Sequence, residues 1–203
     1  MVDKTTNNKL GIISLYRSNY LSSFYTREMA KLLNKSHVTL LPHLKSLEDE
    51  NIITSKTIGK NKTYTLNLDN ISTKEQILLS EITETTNYLK KNFLIKKIFS
   101  EIFNLDLNGT IILFGSYAKN TFTKDSDIDI LYFGKIKPSQ ERDIKKIGKI
   151  YGKTINIKKV KDFSLALRKK DTLILEVIKN HIILQDSEVI INILWRYFNE
   201  IKT

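Results

Sequence analysis

The chain has 203 residues, and its 33 Lys and Arg against 22 Asp and Glu give a formal net charge of +11 at pH 7. A hydrophobic fraction of 41% is sufficient for a buried core and excludes a generally disordered chain. The absence of cysteine excludes disulfides and thiolate metal sites. With no signal-peptide core and no apolar run of ~20 residues, we expect a soluble cytoplasmic protein of one or two domains.

Residues 1–70 are predicted to form a first domain of three short helices followed by a β-hairpin. Apolar residues recur there at helical spacing in three successive stretches. The second helix is expected to begin at an N-cap Thr26 and the third at an N-cap Ser36. Two β-prone runs then flank the basic turn 59–62, whose glycine and lysines suit a hairpin tip.

The stretches 26–30 and 36–48 resemble the winged helix-turn-helix of bacterial and archaeal transcription regulators. The resemblance implies that the third helix enters the major groove of double-stranded DNA and that the hairpin tip contacts the backbone. The residues then expected to contact bases or phosphates are Ser36, His37, Thr39, His43, Lys45, Lys56, Lys60 and Lys62. Because Pro42 lies inside the predicted recognition helix, the alternative is a module for protein contact or dimerisation.

Residues 71–105 are predicted to be helices that connect the two domains. The sequence Ser-Thr-Lys-Glu at 72–75 has the pattern of a capping box, which predicts a helix start there. Apolar residues continue at helical spacing to about residue 104, with one expected break near 83–86.

Residues 106–203 change to strands that alternate with helices. Strands are predicted at 110–114, 128–133 and 154–157, a helix at 138–151, and helix N-caps at Asp162, Asp171 and Asp186. The predicted fold class is therefore α/β (α+β), in which a winged helix precedes a short mixed sheet with flanking helices.

The residues with the clearest chemical pattern follow the first two strands of this second domain. A strand ends at Gly115-Ser116, where glycine permits a tight turn and the following helix start offers N–H groups to phosphate oxygens. Asp127 and Asp129 lie two residues apart on the next strand, so their carboxylates share one face. Such a pair is costly to bury without a cation and suits Mg²⁺. The alternative is a pair of surface acids beside an ordinary turn.

The segments 114–119 and 126–131 resemble the signature of minimal nucleotidyltransferases of the DNA polymerase beta superfamily, and the resemblance covers roughly residues 95–200. It implies Mg²⁺, ATP or another NTP as substrate, and transfer of a nucleoside monophosphate to a hydroxyl acceptor with release of pyrophosphate. The residues it implies are Gly115, Ser116, Lys119 and Ser126 for the nucleotide, with Asp127 and Asp129 as the catalytic metal ligands.

Two positions depart from the family pattern. Lys119-Asn120 stands where Arg-Gly is usual, and Asn156 lies on the strand that carries a third carboxylate in many members. An asparagine coordinates metal but takes no proton at neutral pH. Three functions therefore remain open: an active nucleotidyltransferase that binds DNA, a transcriptional regulator whose weak or inert transferase domain senses nucleotide, and the antitoxin of a toxin–antitoxin pair. The partners considered are an NTP, double-stranded DNA, a protein acceptor or toxin, and a second copy of the chain.

Overall fold

The computed structural model describes residues 4–59 and 61–202, which form a mixed α/β fold with two small sheets. Two compact units are present: unit 1 consists of Met1–Thr83 with Leu194–Thr203, and unit 2 consists of Glu84–Ile193. The domain boundaries expected from the sequence, 1–70, 71–105 and 106–203, remain a prediction. No helix in the described part of the chain is long and apolar enough to cross a membrane.

Unit 1 begins with three helices and a small antiparallel sheet. Its elements up to residue 66 are α1 (Lys4–Ser14), β1 (Phe24–Tyr25), α2 (Thr26–Leu32), α3 (His37–Asp49), β2 (Ile53–Ile58) and β3 (Asn61–Leu66). The strands lie in the order β1-β3-β2, with both pairs antiparallel. Helix α3 buries Leu40, Leu44 and Leu47 at the spacing of one helical face. The three predicted helices and the hairpin are thus confirmed as elements.

The remaining elements run from residue 71 to residue 201. They are α4 (Ile71–Lys91), α5 (Phe93–Phe103), β4 (Gly109–Phe114), α6 (Gly115–Ala118), β5 (Ile128–Gly134), α7 (Pro138–Ile150), β6 (Ile155–Val160), α8 (Phe163–Arg168), α9 (Thr172–Lys179), β7 (Ile182–Gln185) and α10 (Ser187–Ile201). The sheet of unit 2 has the order β6-β5-β4-β7, in which β5 and β6 are parallel and the other pairs antiparallel. This confirms the short mixed sheet.

One face of this second sheet is covered by α5 and α7. Ile128, Ile130 and Tyr132 of β5 lie in a single buried cluster with the apolar side chains of those helices. Because side chains alternate along a strand, Asp129 between them points to the opposite face of the sheet. The packing of the helices on one side therefore fixes the side on which the carboxylate lies.

Several local predictions are wrong in position. The expected break at 83–86 is absent, since α4 continues to Lys91 and the interruption falls at Asn92. There the threonines are accommodated within the helix, and Thr85 donates its hydroxyl to the carbonyl of Ile183 at 3.0 Å. A propensity-based break is readily overridden by such packing.

Two predicted helix starts also move by one residue or more. Helix α2 is capped by Tyr25 rather than Thr26, because the N–H of Tyr25 donates to Glu28 Oε2 at 3.4 Å. Helix α4 begins at Ile71, and Asn70 Oδ1 accepts from the N–H of Ser72 at 3.0 Å, so the capping box at 72–75 is wrong. The N-caps Ser36, Asp162 and Asp171 are confirmed by bonds from backbone N–H groups to their side chains.

Candidate active site

The turn after β4 lies directly beside Asp129. In the antiparallel register of β4 and β5, Phe114 is the partner of Asp129, so Gly115 follows at the same level of the sheet. Gly115 has φ +70°, and a Cβ at this position would lie 2.6 Å from Asp129 Oδ2. Both the left-handed backbone and the close approach require glycine there. Half-buried Ser116 follows in α6.

Asp127 and Asp129 share one neighbour, Asn156 on β6. The parallel register pairs Asp129 with Asn156, which places the amide at the level of the carboxylates. The Nδ2 of Asn156 donates to Asp129 Oδ1 at 3.1 Å and to Asp127 Oδ2 at 3.4 Å. Asp127 is exposed and Asp129 is half-buried. Two carboxylates that one amide group reaches are close enough to repel each other as like charges.

No described cation forms an ion pair with either of these aspartates. The predicted nucleotide residue Lys119 instead bonds Glu176 Oε1 on α9 at 2.9 Å. Lys153, which belongs to none of the sequence motifs, directs its Nζ to the backbone carbonyls of Lys124 and Ser126. The negative charge of the pair is therefore left uncompensated among the residues that the structure describes.

The loop that leads to Asp127 is held by its own hydrogen bonds. Predicted nucleotide residue Ser126 accepts from the N–H of Thr123 at 2.8 Å, so its hydroxyl shapes the loop. In the same region the ring of Tyr117 stacks on Phe122, with centroids 4.3 Å apart and planes 7° from parallel. Lys153 Nζ lies 5.7 Å from the centroid of the Tyr117 ring.

A second tyrosine supports this turn from α4. The hydroxyl of Tyr88 donates to the backbone carbonyl of Tyr117 at 3.1 Å, and burial raises the pKa of Tyr88 well above its ordinary value. Neither tyrosine contact is predictable, because sequence spacing carries no signal for a stack between residues 117 and 122 or for a bond across 29 positions.

The oxygen donors beside the turn fit a hard divalent cation. Carboxylate oxygens are a ligand type that Mg²⁺ takes in proteins, and Asp127 and Asp129 supply them. Across residues 4–59 and 61–202 there is no group of three or more His, Cys, Asp or Glu side chains suited to a metal. A cation here would therefore be held by the two carboxylates that also accept hydrogen bonds from the Nδ2 of Asn156.

The residues predicted to face DNA are not all brought together. His37, Thr39 and Lys45 are exposed on α3, and Ser36 caps that helix. Lys62 instead bonds Glu48 at 2.8 Å, which offsets part of its charge. Lys56 lies on β2, and Lys60 lies outside the described residues.

His43 is placed away from the exposed side of α3. Its Nε2 lies 2.9 Å from the Nδ2 of Asn8 on α1. Burial, with the nearby charges of Lys9 and Lys35, lowers the pKa of His43 below its ordinary value. His43 is therefore a contact between two helices of unit 1, and the structure does not group it with Thr39 and Lys45.

Comparisons with known proteins concern the part of the chain that contains the candidate site. Residues 94–184 match the family described as "Nucleotidyltransferase domain", and this range contains the turn, both aspartates and Asn156. A curated relative from Methanocaldococcus jannaschii, named "Putative protein adenylyltransferase MJ1547", is 35% identical over 79 residues. These residues make up 39% of this chain and 57% of the relative, so the chain spans little more than half of that protein. No solved structure matches the chain.

Residues 94–184 thus match a nucleotidyltransferase domain, and the mixed sheet of unit 2 is consistent with that fold. Both comparisons support nucleotidyl transfer as the general chemistry of this part of the chain.

Proposed function

We propose that the chain transfers a nucleoside monophosphate from an NTP to a hydroxyl acceptor and releases pyrophosphate. The observation that carries the proposal is the contact of the Gly115 turn with Asp129, since it joins a helix start suited to phosphate with a pair of unneutralised carboxylates. Each half is common in proteins, but their direct juxtaposition is what phosphoryl-group chemistry requires.

Each residue has a distinct role in this proposal. Asp127 and Asp129 hold Mg²⁺, which supplies positive charge to the triphosphate and to the leaving pyrophosphate. Ser116 and the backbone N–H groups of the turn bind phosphate oxygens. Asn156 orients the two carboxylates through its Nδ2. Lys119 is kept as a nucleotide-binding residue, and it exchanges its bond with Glu176 for one with a phosphate.

ATP as the donor and a protein hydroxyl as the acceptor are supported by the name of the archaeal relative, which calls that protein a protein adenylyltransferase. A hydroxyl acceptor must lose a proton during transfer, and a carboxylate is a suitable base. Asp129 and Asp127 are the two carboxylates beside the turn, so in this proposal one of them has to serve as the base as well as a metal ligand.

A second candidate, a domain that binds nucleotide with little or no turnover, is favoured by Asn156. Its amide occupies the position in β6 directly beside Asp129, where a carboxylate would provide a third ligand or base. In that case the domain would act as a nucleotide sensor for a regulatory protein.

The two candidates separate in a label-transfer experiment. Purified protein is incubated with α-labelled ATP, Mg²⁺ and a cell lysate, and covalent label is followed on denaturing gels. We expect transfer by the parent protein, a loss of at least about 100-fold in Asp127→Asn, and little change in the exposed neighbour Asp125→Asn.

Asn156→Asp completes that comparison. If the parent binds ATP without transfer while Asn156→Asp transfers label, the sensor is the correct account. If neither protein transfers label and neither binds ATP, both accounts are wrong.

We further propose that unit 1 contains a winged helix-turn-helix that binds double-stranded DNA. The order of its elements supports this, as does the exposure of Thr39 and Lys45 on α3. We expect Lys45→Ala to weaken DNA binding several-fold in a mobility-shift assay, whereas Lys31→Ala, an exposed lysine of α2, serves as the control. Equal binding by the parent and Lys45→Ala would contradict the assignment of α3.

A further inference from the structure

Most of the net charge of the chain lies in one stretch of unit 2. Residues 135–170 contain 13 Lys and Arg but only 3 Asp and Glu, so they carry +10 of the total +11. All of these cationic side chains except the half-buried Lys153 are exposed. We call this surface, formed by residues 135–170, the basic edge.

The basic edge follows three consecutive elements around an outer strand of the sheet. Helix α7 packs against β6, and Lys159 of β6 bonds Glu141 of α7 at 2.9 Å. Strand β6 is at the end of the sheet order, so one of its sides has no neighbouring strand. Lys158 lies two residues beyond Asn156 and therefore on the same face of the sheet as the candidate active site.

Ordinary structural roles account for only part of this charge. Lysines on an edge strand prevent pairing with other chains, which explains Lys158 and Lys159. Glu141 pairs with Lys145 and Lys159, and Asp143 pairs with Lys146. The third acid of the stretch, Asp162, is used as the N-cap of α8. These three acids leave the stretch with a large positive excess, and such crowding of like charges opposes folding.

We propose that the basic edge binds the phosphate backbone of a nucleic acid. Phosphates are dense, regularly spaced anions that exposed lysines neutralise with release of counterions. This surface is separate from the α3 helix of unit 1, and the proposal holds whether or not the transferase is active.

The composition of the basic edge favours a nucleic acid over an acidic protein. Protein interfaces have an apolar or aromatic centre and are depleted in lysine. Among residues 135–170, all of which are described, the large apolar side chains that are exposed are Ile150 and Leu165. Interfaces with nucleic acids are polar and strongly positive, as this surface is.

The test measures binding by the full chain without NTP or Mg²⁺. Fluorescence anisotropy is recorded with a labelled RNA hairpin and with a DNA duplex of equal length, over a series of salt concentrations. The variant removes Lys149, Lys158 and Lys161 together by substitution with Ala. The matched control replaces Lys90, Lys91 and Lys96 with Ala, which removes the same charge from exposed positions of the same unit outside the basic edge.

We expect the basic-edge variant to lose at least about 10-fold in affinity near 0.15 M salt, and its slope of log K against log salt to become shallower by about 2 to 3. The control should stay within about 3-fold of the parent, and urea unfolding should show that all three proteins are folded. The probe that loses more affinity in the basic-edge variant identifies the nucleic acid bound there, because unit 1 is unchanged in all three proteins.

Three results would overturn the proposal: equal losses in variant and control, parent binding that does not depend on salt, or displacement of the RNA by polyglutamate of equal charge. None of them bears on label transfer from ATP, so failure here is distinguishable from failure of the proposed transferase.

Discussion

Two carboxylates of unit 1, Glu81 and Glu50, are compensated by basic side chains, whereas the two aspartates at the candidate site of unit 2 are not. Glu81 accepts two bonds from the Arg17 guanidinium, at 2.8 and 2.6 Å, and Glu50 bonds Lys9. Asp127 and Asp129, by contrast, receive only the neutral amide of Asn156 from described side chains. Glu81 and Glu50 are therefore neutralised within the folded protein, whereas the charge of the aspartate pair is available to a cation from solution.

The largest expected effect on stability comes from breaking a compensated pair. Glu81 is fully buried, and Glu81→Gln would remove the negative charge that Glu81 places beside the Arg17 guanidinium. We expect the free energy of unfolding to fall by about 3 kcal/mol, measured by urea denaturation. Glu75→Gln, an exposed glutamate of the same helix α4, should change it by less than about 0.5 kcal/mol. Equal effects of the two substitutions would contradict the claim that the buried pair of Arg17 and Glu81 stabilises the fold.

The next effect concerns the turn beside the aspartates. In Gly115→Ala the new Cβ would lie 2.6 Å from Asp129 Oδ2 in a backbone with φ +70°, so strain and a clash with the carboxylate add together. We expect a loss of about 2 to 3 kcal/mol in unfolding free energy, together with loss of label transfer.

Gly152→Ala provides the matched control for that substitution. Gly152 has φ +66°, and nothing lies within 4 Å of the position that a Cβ would take there. Only the backbone strain of about 1 kcal/mol should therefore be measured, with transfer unchanged. If Gly115→Ala and Gly152→Ala have the same unfolding free energy and the same label transfer, the close approach of Gly115 to Asp129 contributes to neither stability nor activity.

The sequence predicts the residues of the candidate site better than it predicts the contacts around them. The position of Asp129 follows from strand periodicity, because alternation along β5 is local. Asp127 lies just before that strand, and Gly115 follows from the end of the apolar run of β4. In the sequence, the strand that carries Asn156 is linked to the site by the family resemblance alone, and the pairing of Asn156 with Asp129 is a finding of the structure. The amide bridge itself, with distances of 3.1 and 3.4 Å, depends on the register of two strands and needs the structure.

Other features have no signal in the sequence. Strand β7 contains only four residues and follows a helix after two residues, so its apolar run 182–184 is indistinguishable from a continued helix. The pairing of Lys119 with Glu176 joins positions 57 apart, and the turn of His43 toward Asn8 depends on how α1 packs on α3. Long-range contacts of this kind are decided by packing and leave no local pattern.

The smallest predicted effect concerns pH. The hydrogen bond from Lys9 holds the pKa of Glu50 below its ordinary value of 4.5. A carboxyl whose pKa is lower in the folded state stabilises the protein above its unfolded pKa, and this contribution is lost as the pH falls through the folded pKa. Because both side chains are partly exposed, we expect less than about 1 kcal/mol.

Urea unfolding at about pH 6 and about pH 3.5, on either side of the ordinary glutamate pKa, measures that contribution. In Glu50→Gln the fall in stability between the two pH values should be slightly smaller than in the parent. Glu75→Gln is the control. Glu75 is exposed and forms no ion pair with any residue that the structure describes. A steeper fall in Glu50→Gln would mean that the pair with Lys9 does not stabilise the charged form.

The claim that Asp127 and Asp129 bind Mg²⁺ is tested most directly by melting temperatures. The melting temperature is measured with ATP and Mg²⁺ and compared with that in ATP and EDTA. The account predicts that Mg²⁺ raises the melting temperature of the parent and of Asp125→Asn by a few degrees. Asp129→Asn should melt at or above the parent temperature without metal, because one of two like charges is gone, and should not respond to Mg²⁺. A Mg²⁺ response in Asp129→Asn equal to that of the parent would contradict the account.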